Sequence, residues 1–221
     1  DRYALLPHGA SIGDNYGPRA YMSILTYRAL LSYAYLATRL NELRDVRSSL
    51  ETAARIKAAL VAHLWREREG FLFNKLADSS IDTHYYIGSL LAPFFGLLVG
   101  ERAEALLRTA RRELLDEELG IRNAMPMDFD ELVDVYHFKD QEQGAKGRYM
   151  NGSVWPQGNA WYALSLASVG RLDEAESVIE KYLTIDGILD SPNGTPSFYE
   201  CRTTLAGSPE YGEIDKPSFL W

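Results

Sequence analysis

Residues 148–183 read "RYMNGSVWPQGNAWYALSLASVGRLDEAESVIEKYL". From Trp155 to about Val169 the apolar residues follow helical spacing, and Gly170 closes that helix. Asp173 then caps a second helix, more highly charged, that ends near Leu183. An apolar helix followed by a charged partner reads as a hairpin with one inner and one outer member. The entrance differs in kind. Two indoles, a proline and several amides crowd the first turns, a mixture for which a helix that only packs has little use.

The pattern repeats upstream. A helix is expected from Pro18 to Leu40, with Leu25, Ala29, Tyr33, Leu36 and Leu40 as its buried stripe, and a second from Leu43 to Glu67 carrying Leu50, Ala54, Ile56, Leu60 and Leu64. "FLFNKL" is a short extended stretch. Asp82 or Thr83 caps a third helix, "IGSLLAPFFGLL", apolar all round and therefore buried. A fourth, amphipathic helix covers Arg102 to Glu117. Residues 120–148 are a long connection, 186–217 are loop with a single short strand, and a seventh helix starts at Ser218. Alternating inner and outer helices suit a toroidal helical barrel. Simple helical repeats would show short, uniform loops and a fixed period, which this chain lacks.

The bulk properties narrow the function. Of 221 residues, 46% are apolar, and the formal charge is −8. Phosphate backbones and anionic membranes call for a basic face, so neither nucleic acid nor membrane is an expected partner. The single cysteine, Cys201, excludes an internal disulfide framework and suits the cytoplasm. The four histidines, at 8, 63, 84 and 137, have no metal-ligand spacing, and no glycine-rich phosphate loop is present. No metal or cofactor is expected. The chain begins at Asp1 without a methionine and stops just inside an apolar run. It is therefore expected to be part of a longer polypeptide.

Candidate chemistry gathers in three loops: 7–21 with Asp14, Asn15, Tyr16 and Arg19; 147–161; and 195–215 with Glu200, Arg202, Glu210 and Glu213. Indole faces stack on the C–H faces of sugar rings, and amides, arginine and carboxylates bond to hydroxyls. Carbohydrate fits that mixture, although Trp155 and Trp161 would serve equally as core residues. Glu210 and Glu213 read as solvated loop charges. Glu200 stands apart, because "SFYEC" surrounds it with residues that tend to be buried, and a carboxylate so placed needs a partner. Arg202 is the expected partner, in either a functional or a purely structural pair.

At this point the chain resembles a family. The 148–183 block is similar to the "Y-x-x-G-x-V-W-P…N…L…G…A" block of the six-hairpin, (α/α)6-barrel glycosidases, among them glycogen-debranching amylo-α-1,6-glucosidases and processing α-glucosidases. "GTPSFYECRTTLAG…KPSFLW" resembles that group's following block, and the first hairpin, "SLLAPFFGLL" and "GIRNAMP" fall in the family's order. The resemblance covers nearly the whole chain and implies an all-α, (α/α)6 toroid, of which these residues would be an incomplete, C-terminal portion cut at both ends.

It also implies an inverting glycoside hydrolase acting on α-glucosidic or similar oligosaccharides, with the remainder of the parent polypeptide needed to complete the barrel. One carboxylic acid would protonate the leaving oxygen while a carboxylate activates water. Glu200 matches the general base. Arg148, Tyr149, Asn151, Trp155, Gln157, Trp161 and Tyr199 match the blocks lining the sugar subsite. The family's acid is an aspartate upstream of the first helix; Asp14 is the candidate here, outside the family's "WD" or "MDN" context, and the alternative is an acid beyond these residues. The competing functions are an inverting phosphorylase of the same fold and a non-catalytic carbohydrate-binding module.

Overall fold

The computed structural model describes residues 19–218, except 77, 137, 139, 140 and 142. Helices form its body: α1 (Ala20–Arg39), α2 (Leu43–His63), α3 (Leu91–Phe94), α4 (Glu101–Leu114), α5 (Val133–Tyr136), α6 (Pro156–Ser168), α7 (Leu172–Leu183) and α8 (Ile185–Leu189). Ten short strands interrupt them: β1 (Trp65–Arg66), β2 (Phe71–Leu72), β3 (Asn74–Lys75), β4 (Ile81–Asp82), β5 (Tyr85–Tyr86), β6 (Leu115–Asp116), β7 (Gly120–Ile121), β8 (Ala124–Met125), β9 (Tyr199–Arg202) and β10 (Ile214–Pro217). Every pairing is a two-stranded antiparallel ribbon: β1 with β2, β3 with β4, β5 with β8, β6 with β7, and β9 with β10.

Two hairpins, α1 with α2 and α6 with α7, flank the buried segment of α3 and the 3-10 turn Ile87–Leu90. The main core joins Ile24, Phe71, Ile87, Leu90, Leu106, Leu107, Leu114 and Leu166. The α6/α7 hairpin follows the expected bounds closely. Trp155 is extended and sits at the N-cap, and Pro156 takes the first helical position, where its missing N–H costs nothing. Gly170, at φ 86, makes the turn. Arg171, not Asp173, holds the N-cap of α7.

Elsewhere the structure differs. The expected third helix is broken into strand β5, a 3-10 turn and the single turn α3. Pro93 and the left-handed Gly96 punctuate the segment, and Asp82 spends its carboxylate on His84 and on tyrosines rather than on a helix end. The stripe expected on α1 is also misplaced. Tyr33, Leu36 and Leu40 are exposed, while Ile24, Tyr27, Ala34 and Ala37 face inward. On α2, Leu50 and Ala54 face outward and Ser49, Ala53 and Leu60 are buried. The 186–217 segment holds α8 and two paired strands rather than one strand. The helix start expected at Pro18 and the helix expected after Ser218 lie outside the described residues.

Asn159, one turn into α6, reaches across to the β6/β7 ribbon, where its Oδ1 accepts from the Ile121 N–H at 2.7 Å. Gly120 makes this approach possible. Its φ is 106, and a Cβ there would collide with the same Asn159 amide. Gly120→Ala is therefore expected to cost about 2–4 kcal/mol in urea unfolding, backbone strain and overpacking combined. Gly96→Ala is the control, because its φ of 69 is strained but nothing lies within 4 Å of its Cβ. It should lose only about 1–2 kcal/mol.

Candidate active site

The loops at the entrance of α6 are tied by main-chain bonds. Val154 exchanges both backbone bonds with Arg202, at 3.0 and 2.9 Å, and also bridges to Arg122; Asn123 N–H donates to the Ser153 carbonyl at 2.7 Å. A narrow sheet therefore runs from residues 122–123 through 153–154 to β9 and β10. Glu200 lies on β9, 4% exposed. The register pairs Cys201 with Asp215 and Tyr199 with Pro217, which sets Lys216 across from Glu200. Their ion pair joins a buried carboxylate to an ammonium whose side chain is 54% exposed. That bond to Glu200 holds the lysine above its usual pKa.

The expected Glu200–Arg202 pair is thus not formed. The buried Arg202 guanidinium donates to Gly212 O (2.9 Å), Ser191 Oγ (2.7 Å) and Pro192 O (2.6 Å), stitching the 191–212 loop together. It also lies over the Tyr199 ring, 5.7 Å from its centroid. Arg202 is the nearer cation in sequence, but hairpin pairing brings Lys216 closer in space.

Several of the other expected residues join this group. The Tyr149 ring receives Lys216 Nζ at 5.3 Å and meets the Trp155 ring at 5.2 Å. Trp155 is fully enclosed, its Nε1 donating to the Tyr149 carbonyl at 3.1 Å. Asn151 is also enclosed: its Oδ1 accepts from Phe129 N (3.2 Å) and its Nδ2 donates to Asp130 Oδ1 (2.8 Å). Arg148 is half-exposed and pairs with Glu210. Tyr199 is buried, and burial pushes its phenol up to about 12. Gln157 is half-buried, with an enclosed Oε1 that makes no hydrogen bond among the described residues. Trp161 lies elsewhere, stacked on Tyr21 of α1 at 5.6 Å against the main core. Asp14 lies outside the described residues. Burial also pushes the Cys201 thiol up to about 12, which leaves it unreactive at neutral pH.

A second polar group lies, apart from Arg19, outside the three loops singled out from sequence. Asp82 is fully buried and is approached by Arg19 Nη1 (3.1 Å), His84 Nδ1 (2.8 Å), Tyr86 OH (2.8 Å) and Tyr136 OH (2.8 Å). The far nitrogen of His84, Nε2, lies 2.6 Å from Asp128 Oδ1. Phe129 stacks on the imidazole at 4.6 Å. Burial alone would lower the pKa of His84, but Asp82 and Asp128 outweigh it and hold the imidazole above 6.5. Burial alone would raise that of Asp82; His84, Arg19 and Tyr136 together hold it below 3.8. The one local signal is "DTHYY", where an Asp two residues before a His can close an Asx-type turn.

Helix pairs joined by polar loops define the architecture of this chain, and solved structures match it. GH63 mannosylglycerate hydrolase from Thermus thermophilus, in complex with Tris, superposes with a TM-score of 0.57 at 21% identity, covering 87% of this chain and 41% of that one. The same enzyme in complex with glucose gives 0.57 and 21%, covering 86% and 43%. Neutral trehalase from Saccharomyces cerevisiae gives 0.60 at 16%, covering 86% and 34%. These likenesses bear out the six-hairpin, (α/α)6 fold, and the chain spans about two fifths of the hydrolase's length. The chain matches the mannosylglycerate hydrolase MGH1-like glycoside hydrolase domain over residues 8–221 and belongs to that family. Among curated proteins no match is found. No helix among the described residues is long and apolar enough to cross a membrane.

The His84 network has a pH signature. A folded-state pKa above 6.5 means that His84 adds stability below that pH and loses it as pH rises through the raised value. Asp82, with its pKa depressed, adds stability above pH 3.8 that is lost on acidification through the lower value. Melting temperature should fall as pH climbs from about 6.5. In His84→Gln that slope should flatten, and a slope identical to wild type would show that another group is responsible.

Proposed function

We propose that this domain is the base-bearing, C-terminal portion of an inverting glycoside hydrolase acting on short α-linked glycosides. Mannosylglycerate and trehalose, the substrates named by its structural neighbours, are the first compounds to test, followed by α-glucosidic oligosaccharides. The observation that carries this reading is Glu200, an enclosed carboxylate in the stretch that resembles the six-hairpin glycosidases' second block. Lys216 stands opposite and forms an ion pair with that carboxylate, in reach of which a general base's water would have to sit.

The roles then divide. Glu200 takes a proton from water on one face of the sugar, and the acid that protonates the leaving oxygen is supplied either by Asp14 or by polypeptide beyond these residues. In inverting enzymes the two carboxyl groups stand about 6.5–9.5 Å apart, leaving room for that water. Tyr149 and the 147–153 turn form the wall beside the base, and Trp155 holds that wall from behind. We assign the protein to the cytoplasm.

In the parent polypeptide, Glu200→Gln is expected to lower kcat on the order of 10²–10⁴-fold while sugar still binds. Proton NMR of the first-formed anomer should show inversion, and omitting phosphate should leave the rate unchanged. Full activity in Glu200→Gln would remove Glu200 from catalysis, and strict dependence on phosphate would move the protein to the phosphorylases.

A further inference from the structure

Among the described residues the network around Asp82 has a single outlet. Arg19, Asp82, His84, Tyr86 and Tyr136 are all buried, whereas the side chain of Asp128 is 32% exposed. Buried polar groups are costly unless satisfied, and a chain of them ending on one accessible carboxylate is the construction that orients a working group. Asp128 is fixed from two sides. His84 holds its Oδ1, and the adjoining Phe129 is clasped by the rings of His84, Tyr136 and Phe138 while its N–H is taken by Asn151. Its second oxygen makes no hydrogen bond among the described residues.

The network is also not self-sufficient. Arg19 is 2% exposed, yet only its Nη1 finds a partner; Nε and Nη2 have none among the described residues. Asn123 precedes β8, which pairs with Tyr86, and its enclosed Oδ1 is likewise unbonded. Orphaned buried donors and acceptors in a native fold call for a polar partner. The location connects them to the proposed base: Tyr149 packs against the cluster of Tyr86, Phe129 and Tyr136, and its ring faces Lys216, the partner of Glu200.

We propose that Asp128 is a substrate-binding carboxylate that accepts a hydroxyl of the sugar through its second oxygen, with His84, Asp82 and Arg19 as positioning residues behind it. This rests on the carbohydrate reading above, and it assigns a binding group on the 126–130 loop in addition to the base. A hydroxyl donating to an ionised acceptor makes a strong, directional bond, so the site would discriminate against a sugar lacking that hydroxyl.

The test is calorimetric titration of the parent polypeptide with D-glucose, D-mannose and the monodeoxy derivatives of each. Wild type should bind at least one parent sugar, and Asp128→Asn should bind it roughly 10- to 100-fold more weakly. The Asn carbonyl still accepts from His84, so the melting temperature should stay within about 2–4 °C of wild type. One monodeoxy sugar should lose a similar factor with wild type, yet bind wild type and Asp128→Asn equally. In His84→Gln, discrimination against that same sugar should shrink, which a merely structural histidine would not cause. The proposal is overturned by unchanged affinity in Asp128→Asn, by its early melting, by equal discrimination against every deoxy sugar, or by failure of wild type to bind either parent sugar. Turnover by Glu200→Gln, measured on the same preparations, would count against the base assignment alone.

Discussion

Val154 has backbone partners on both sides, Arg202 on one and the strand at Arg122 on the other, and the polar end of the molecule depends on that shared residue. Loops are usually the least determined parts of a helical protein. Here three of them, from separate stretches of chain, are locked into register by main-chain bonds that any side chain could make. The side chains are then free to differ in chemistry. Glu200, Tyr149 and Asn151 are placed by strand pairing and turn geometry, so the helices act as scaffold for a small irregular sheet.

Buried charge at this end is used in two ways. Arg202 is consumed by carbonyls and a hydroxyl of its own loop, and it serves as an internal cross-brace. Among the described residues Glu200 pairs with Lys216 and Asp128 with His84, and those partners differ in access. Lys216 is solvated and able to yield, whereas His84 is enclosed between ring faces and fixed at both nitrogens. The first arrangement leaves the carboxylate's partner free to move, whereas the second fixes the carboxylate's orientation.

Legibility follows the range of the interactions. The α6/α7 hairpin can be read because a proline, a glycine and a periodic apolar run act within a few residues. Glu200 stands out because its immediate neighbours are apolar and aromatic. The face of α1 misleads because the helix is apolar on more than one side, and only its packing in the fold, which buries Ala34 and Ala37, decides which side is inward. The break in "IGSLLAPFFGLL" is marked by proline and glycine, but uniform apolarity conceals it. Lys216 and Asp128 lie beyond local reading altogether. Each meets its partner through a fold-dependent contact, one across a ribbon and the other over 44 residues of sequence.

The β9/β10 ribbon carries a consequence for how this family can vary. Cross-strand identity is set by counting residues around the turn between Arg202 and Ile214. A substitution in that turn leaves the count intact, whereas inserting or deleting one residue would present Asp215 or Pro217 to Glu200 in place of an ammonium. The first alternative sets two like charges together, and the second offers no donor at all. Length polymorphism should therefore be purged from this turn, while the outer connections of the helices tolerate it.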